Sequence, residues 1–156
     1  MRQAMTKETG AMQVRSCLRK APVTVPPQCT VEEAAQLMGS HGVGSVLVVS
    51  GDELLGILTD RDITVRAVGA GRPLSTAVDA VMSGPLVTIQ GSADVLEAYR
   101  LLKDAGVRRL PVLEDGDLAG IITADDLLVA LVLELGAVVS PVAHEVLDPE
   151  IPSRDR

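Results

Sequence analysis

Apolar and polar positions along the chain fall into two periods, one of strands and one of helices. Residues 22–25 and 85–89 are short apolar segments of strand character. Helical spacing follows each of them. Val31, Ala34, Ala35, Leu37 and Met38 share one face in the first stretch, as do Val95, Ala98, Leu101 and Leu102 in the second. Thr30-x-x-Glu33 and Asp94-x-x-Glu97 open these helices, each a cap residue with an acid three positions on. Gly42 and Gly106 stand where a left-handed C-cap is wanted. Apolar runs at 46–49 and 54–58, and again at 110–113 and 118–122, flank polar turns and predict two hairpins. A further helix begins at Thr59 and at Thr123. The predicted unit is β-α-β-β-α, and it occurs twice.

The recurrence is a duplication. Shifting the sequence by 64 residues lays Thr24-Val25 on Thr88-Ile89 and Glu33-Ala34 on Glu97-Ala98. The same shift lays Gly56-Ile57-Leu58-Thr59 on Gly120-Ile121-Ile122-Thr123, and Asp62 on Asp126. Apolar segments align by chance, but Gly, Thr and Asp do not stay in register by chance. Residues 13–68 form the first repeat and 77–136 the second, with a linker at 69–76 marked by Gly69, Gly71 and Pro73. Residues 1–12 read as a flexible leader. Residues 137–156, with Pro141, Pro149 and Pro152, read as a flexible tail.

Composition narrows the possible functions. With one Tyr and no Phe or Trp, the core is aliphatic, and no aromatic platform exists for stacking single-stranded bases. A net charge of −7 opposes phosphate-driven duplex binding, so nucleic acid is not an expected partner. Cys17 and Cys29 make no disulfide framework, and they are read as reduced thiols in a cytoplasmic protein. The apolar stretch at 127–139 is broken by Glu134 and Gly136 and falls short of the ~20 residues that span a bilayer, so no membrane role is expected. His41 and His144 stand apart from the cysteines, which supports no metal site.

The two motifs Gly56-Ile-Leu-Thr59-Asp-Arg-Asp62 and Gly120-Ile-Ile-Thr123-Ala-Asp-Asp126, each after a hairpin pattern, resemble the cystathionine-β-synthase (CBS) domain pair, or Bateman module. Val107-Arg-Arg-Leu-Pro-Val112 is also similar to the family's entry into its second strand. The resemblance spans about residues 13–136. It implies an α/β (α+β) fold of two repeats packed about a pseudo-twofold axis, with two clefts between them. It further implies a stand-alone regulatory protein, not an enzyme and without a cofactor. Its clefts would bind adenosine-containing ligands such as AMP, ADP, ATP or S-adenosylmethionine and signal by a change of shape.

Carried onto this sequence, the resemblance implies a site residue by residue. Asp62 and Asp126 would take the ribose hydroxyls, since a carboxylate accepts from both members of a vicinal diol. Thr59 and Thr123 offer a hydroxyl and a helix-start N–H to phosphate. Ile57 and Ile121 would wall the base, Thr24 and Thr88 would lie beside the adenine, and Val43, Gly44, Val107 and Arg108 would line the clefts. Arg109 would cross the pseudo-twofold toward the Asp62 cleft, whereas Ser45, its counterpart, would face the Asp126 cleft, with Arg108 serving that cleft locally. A second reading of the same residues stays open, because Thr-x-x-Asp is also a helix-capping pattern that needs no ligand. The apolar run at 127–135 and its counterpart at 63–68 predict a homodimer face. A rival reading makes the pair a ligand-independent scaffold for an enzyme or transporter.

Overall fold

The computed structural model describes residues 12–19 and 21–147, with side chains described as far as residue 136. The leader expected at 1–12 lies outside the described residues except for Met12.

Six strands and four main helices follow the predicted order. They are β1 (Thr24–Val25), α1 (Val31–His41), β2 (Ser45–Ser50), β3 (Glu53–Thr59), α2 (Asp60–Asp62), β4 (Ile89–Gln90), α3 (Val95–Ala105), β5 (Arg109–Glu114), β6 (Asp117–Thr123) and α4 (Ala124–Leu147). α2 runs directly into a π-helical turn, Ile63–Val68. Two three-stranded sheets result, β1-β2-β3 and β4-β5-β6, each with a parallel outer pair and an antiparallel hairpin.

Local chemistry explains the helix limits. Thr30 and Glu33 form the reciprocal capping box, with the Glu33 carboxylate accepting from the Thr30 N–H at 2.8 Å. Asp94 caps α3 differently, accepting from the Leu96 N–H at 2.6 Å. Both helices end on a glycine at φ +61° and +64°, a left-handed conformation that costs a residue with a Cβ.

The repeats are not quite congruent, and Pro111 is the reason. In the first repeat the Leu47 N–H donates to the Val23 carbonyl at 2.9 Å and holds Thr24 beside Leu47. Pro111 occupies the equivalent place and has no N–H to give. Parallel pairing therefore starts one position later, at Ile89 opposite Val112.

The main departure from the expected organisation is an exchange of segments. The 3-10 turn Val14–Cys17, which opens the first repeat in sequence, is buried in the core of the second with Ile89, Val95, Leu110, Val112, Ile122 and Leu127. Conversely, Val78 and Val81, which open the second repeat, are buried in the core of the first with Val31, Met38, Val46, Val48 and Leu58. Matching hydrogen bonds hold both crossings. The Val14 N–H donates to the Ala93 carbonyl at 2.9 Å, and the Val78 N–H donates to the Cys29 carbonyl at 2.8 Å. Each core is thus closed by residues from the other half of the chain.

α4 also corrects the sequence reading. It continues to Leu147, past residue 136 and through Pro141, where a tail was expected. The apolar sequence carries on through Ala137, Val138 and Val139, so the proline alone was a poor stop signal. The remainder of the expected tail lies outside the described residues.

Candidate functional site

The hairpin register builds the site from both repeats. Ser45 pairs with Thr59 in the first hairpin, and Arg109 pairs with Thr123 in the second. The threonines end their strands and begin their helices at the same point, on facing sides of the pseudo-twofold. Between them lies a cleft of about 700 Å³. From the first repeat come Ile57, Thr59, Asp60, Arg61 and Asp62. From the second come Val107, Arg108, Arg109, Thr123 and Asp125, and the entering segment supplies Ser83, Pro85, Leu86 and Val87. Three arginines and three aspartates therefore face an apolar wall.

Asp62 is oriented before any ligand is present. The Thr59 N–H donates to Asp62 Oδ2 at 3.0 Å and the Thr59 hydroxyl donates to the same oxygen at 2.7 Å. The Asp62 N–H returns to Thr59 Oγ1 at 3.1 Å. This is the capping arrangement, and it engages Oδ2 alone. Oδ1 is left facing the Arg66 guanidinium at 3.5 Å. Thr123 and Asp126 repeat the pattern, with the Thr123 N–H and hydroxyl at 3.0 and 2.6 Å from Asp126 Oδ2. The cap thus engages one oxygen of each carboxylate and leaves the other outside it.

Arg109 reaches the first repeat. A Cβ added at Gly44 would lie 3.3 Å from an Arg109 guanidinium nitrogen and 3.3 Å from an Asp60 carboxylate oxygen. The bare glycine leaves room for that guanidinium to cross.

Of the residues singled out in the sequence, Ile57, Thr59, Asp62, Val107, Arg108, Arg109 and Thr123 line one cleft. Asp126 does not. It lines a smaller cleft of about 240 Å³ with Ser16, Cys17 and Arg19, and Arg19 Nε lies 3.8 Å from its Oδ1. Arg108, expected at the Asp126 cleft, lines the Asp62 cleft instead, beside Arg109. Thr24, Val43, Gly44, Ser45, Thr88 and Ile121 line neither. The wall at Ser83–Val87 was missed in the sequence, since it belongs to the exchanged segment. A signal existed. Val14 and Val78, and likewise Leu18 and Met82, keep the 64-residue offset upstream of the first strand.

Shifted titrations lie away from the clefts. Hydrogen bonds from the Thr30 N–H and hydroxyl hold the Glu33 carboxyl below its ordinary value. Partial burial, reinforced by the Glu33 carboxylate, pushes the Cys29 thiol up. Among the described residues no group of three His, Cys, Asp or Glu side chains is placed to hold a metal ion. Nor is any helix of these residues long and apolar enough to cross a membrane.

Comparison with known proteins places this geometry. The CBS domain family matches the chain twice, at residues 14–69 and 78–133. The uncharacterized protein MK0525 of Methanopyrus kandleri is 38% identical over 121 residues, which are 76% of this chain and 62% of that protein. The chain thus matches less than two thirds of that relative's length. The CBS domain-containing protein YhcV of Bacillus subtilis is 39% identical over 116 residues, covering 74% of this chain and 83% of that protein. Among solved structures, a protein with CBS domains from Burkholderia ambifaria superposes with a TM-score of 0.72 at 29% identity, covering 79% of this chain and 96% of that one. The CBS domain protein PAE2072 of Pyrobaculum aerophilum, complexed with AMP, shares the fold with a TM-score of 0.72 at 23% identity over 81% of this chain and 99% of that one.

Proposed function

This chain belongs to the CBS-domain family, and from that premise we propose that it is a regulatory module binding an adenine nucleotide in the cleft between its two repeats. The observation that carries the reading is the meeting, in one cleft, of an apolar wall, a preoriented carboxylate and three guanidinium groups. Ile57, Leu86 and Val87 suit the flat base. Asp62 Oδ1 suits the ribose diol, and Arg108 and Arg109 suit phosphate, with Thr59 and Thr123 offering hydroxyls nearby. A similar fold complexed with AMP in another organism supports the same ligand class. S-adenosylmethionine, ADP and ATP share the adenosine part and compete for the same cleft.

Because the lining comes from both repeats, occupancy draws the two halves onto one molecule and changes their spacing. That is the signal. An exposed apolar face offers the means of passing it on. Leu128, Val132, Leu133 and Leu135 of α4 are 58–66% exposed, as are Val65 and Val68 of the π-helical turn at 58% and 62%. Such a face is covered by a second copy in a homodimer, or by the regulated enzyme or transporter.

Calorimetry and thermal melting with AMP, ADP, ATP, S-adenosylmethionine and GMP test the reading. A ligand at a hundredfold excess over Kd stabilises the fold by about 2.7 kcal/mol. That corresponds to a rise in melting temperature of roughly 5–10 °C for a chain of this size. Adenine ligands are expected to give the rise and GMP a smaller one. Melting curves unmoved by all five would leave the apolar face as the functional surface and favour the scaffold reading.

A further inference from the structure

Behind the wall of the large cleft, one side chain ties the two halves of the molecule together. Arg66 sits on the π-helical turn of the first repeat. Its Nη1 donates to the carbonyls of Val81 and Met82 at 3.0 and 2.9 Å and to the Ser83 hydroxyl at 3.0 Å. Its Nη2 lies 3.5 Å from Asp62 Oδ1. Residues 81–83 belong to the exchanged segment of the second repeat, so the guanidinium spans two walls of different origin. Asp62 and Ser83 both line the cleft, and Arg66 does not.

The pseudo-equivalent cleft is tied differently. The residue matching Arg66 is Ala130, buried in the second core. Asp126 is met instead by Arg19, which comes from the opposite wall, at 3.8 Å. At Asp62 the guanidinium comes from the carboxylate's own helical turn and reaches across to the facing segment, whereas at Asp126 it belongs to the facing segment itself.

The geometry points to Arg66 as a positioning residue for the adenosine part of the ligand. Oδ2 of Asp62 is taken by Thr59, so the ligand depends on Oδ1, and Arg66 is the group that links Oδ1 to Ser83 on the facing wall. The reciprocal pair between Ile57 and Ser83, N–H to carbonyl at 2.9 Å in both directions, anchors the same wall. A planar fork holds several acceptors in fixed relation, whereas a lysine ammonium is a point charge on a flexible stem. The inference rests on reading the cleft as a nucleotide site.

Calorimetry with AMP and with adenosine tests it, using wild type, Arg66→Met, Arg66→Lys and Arg109→Met, each well below its own melting temperature. Arg66→Met is expected to weaken AMP and adenosine by the same factor, roughly tenfold or more, because it disturbs the ribose contact and not the phosphate. Arg109→Met is expected to weaken AMP alone. Arg66→Lys should recover melting temperature more fully than affinity. By hydrogen exchange, the Ile57 and Ser83 amides should gain protection on adding AMP to wild type and lose that gain in Arg66→Met. Unchanged affinities in a folded Arg66→Met would overturn the assignment. So would a loss confined to AMP, which would make Arg66 a phosphate contact. If Arg66→Met does not fold, Arg66→Lys decides, and full affinity there overturns the claim. Wild type that binds neither AMP nor adenosine sinks the nucleotide reading itself, and the role of Arg66 with it, before any variant is compared.

Discussion

Replacing Asp62 by Asn separates the capping role of this side chain from its ligand role. The amide oxygen of Asn can still accept from the Thr59 N–H and hydroxyl, the two contacts now made at 3.0 and 2.7 Å. The other carboxylate oxygen becomes an NH₂ group, a donor facing both the ribose hydroxyls and the Arg66 guanidinium. The ion pair lost in the free protein is partly solvated, with the two side chains 47% and 13% exposed. Solvent screening limits its worth to about 1 kcal/mol or less. Melting temperature should therefore fall by only about 2–4 °C. Binding should suffer far more. A charge-assisted hydrogen bond lost from a ligand costs on the order of 1.5–3 kcal/mol. That raises Kd roughly 10- to 150-fold. Calorimetric titration of AMP into Asp62→Asn, beside Asp126→Asn as the matched control at the smaller cleft, reads the difference directly. A folded Asp62→Asn that binds AMP within about twofold of wild type would refute the reasoning and leave Asp62 as a cap.

Three further outcomes follow from the packing and the caps. A Cβ at Gly56 would come within 2.6 Å of the Met82 sulfur and 2.7 Å of the Ser83 carbonyl oxygen, whereas the three atoms nearest one at Gly120 all belong to the flexible Leu18 side chain, the closest at 2.7 Å. Gly56→Ala should thus cost about 1–3 kcal/mol in urea unfolding and Gly120→Ala clearly less, and the reverse order would contradict the rigid crossing at Ser83. Leu133→Glu, at a side chain 66% exposed in the single chain, should leave monomer folding intact but lower the mass seen by light scattering if this face joins two copies; an unchanged dimer mass would move the interface elsewhere. Glu33 titrates below its ordinary value in the folded chain, so its contribution is present above the carboxylate range and is lost as pH falls through its folded value. The stability gap between wild type and Glu33→Gln should accordingly close below roughly pH 4 in denaturant titrations, and a gap independent of pH would deny the carboxylate its capping role.

What the sequence disclosed, it disclosed through local rules. The αL glycines at 42 and 106, the box at Thr30 and Glu33 and the hairpins each need only a few neighbouring residues, and all appear where the pattern put them. Asp62 and Arg109 reach one cleft as the resemblance implies, although they come from different repeats and no local rule brings them together. The rest depended on long-range packing. Val14 and Val78 keep the 64-residue offset, which marks them as equivalent positions but says nothing of which core each one enters. With that exchange went the wall at Ser83–Val87 and the contacts of Arg66, whose partners at 81–83 lie ahead of the second repeat's first strand. The later start of β4 is an intermediate case. Pro111 was in plain view, but its effect required knowing which carbonyl its missing N–H would have met.

The exchanged segments bear on what half of this chain would do alone. A fragment cut within residues 69–76 and carrying the first repeat would lack Val78 and Val81, and its own core would open to water. It would also carry Val14 and Cys17 with no core to enter. The piece it lacks and the piece it has to spare are pseudo-equivalent, so two such fragments can each lend the other the missing plug. The expected product is not a half-size folded protein but a self-complementing pair. Mixing the two different halves should likewise rebuild the whole by fragment exchange.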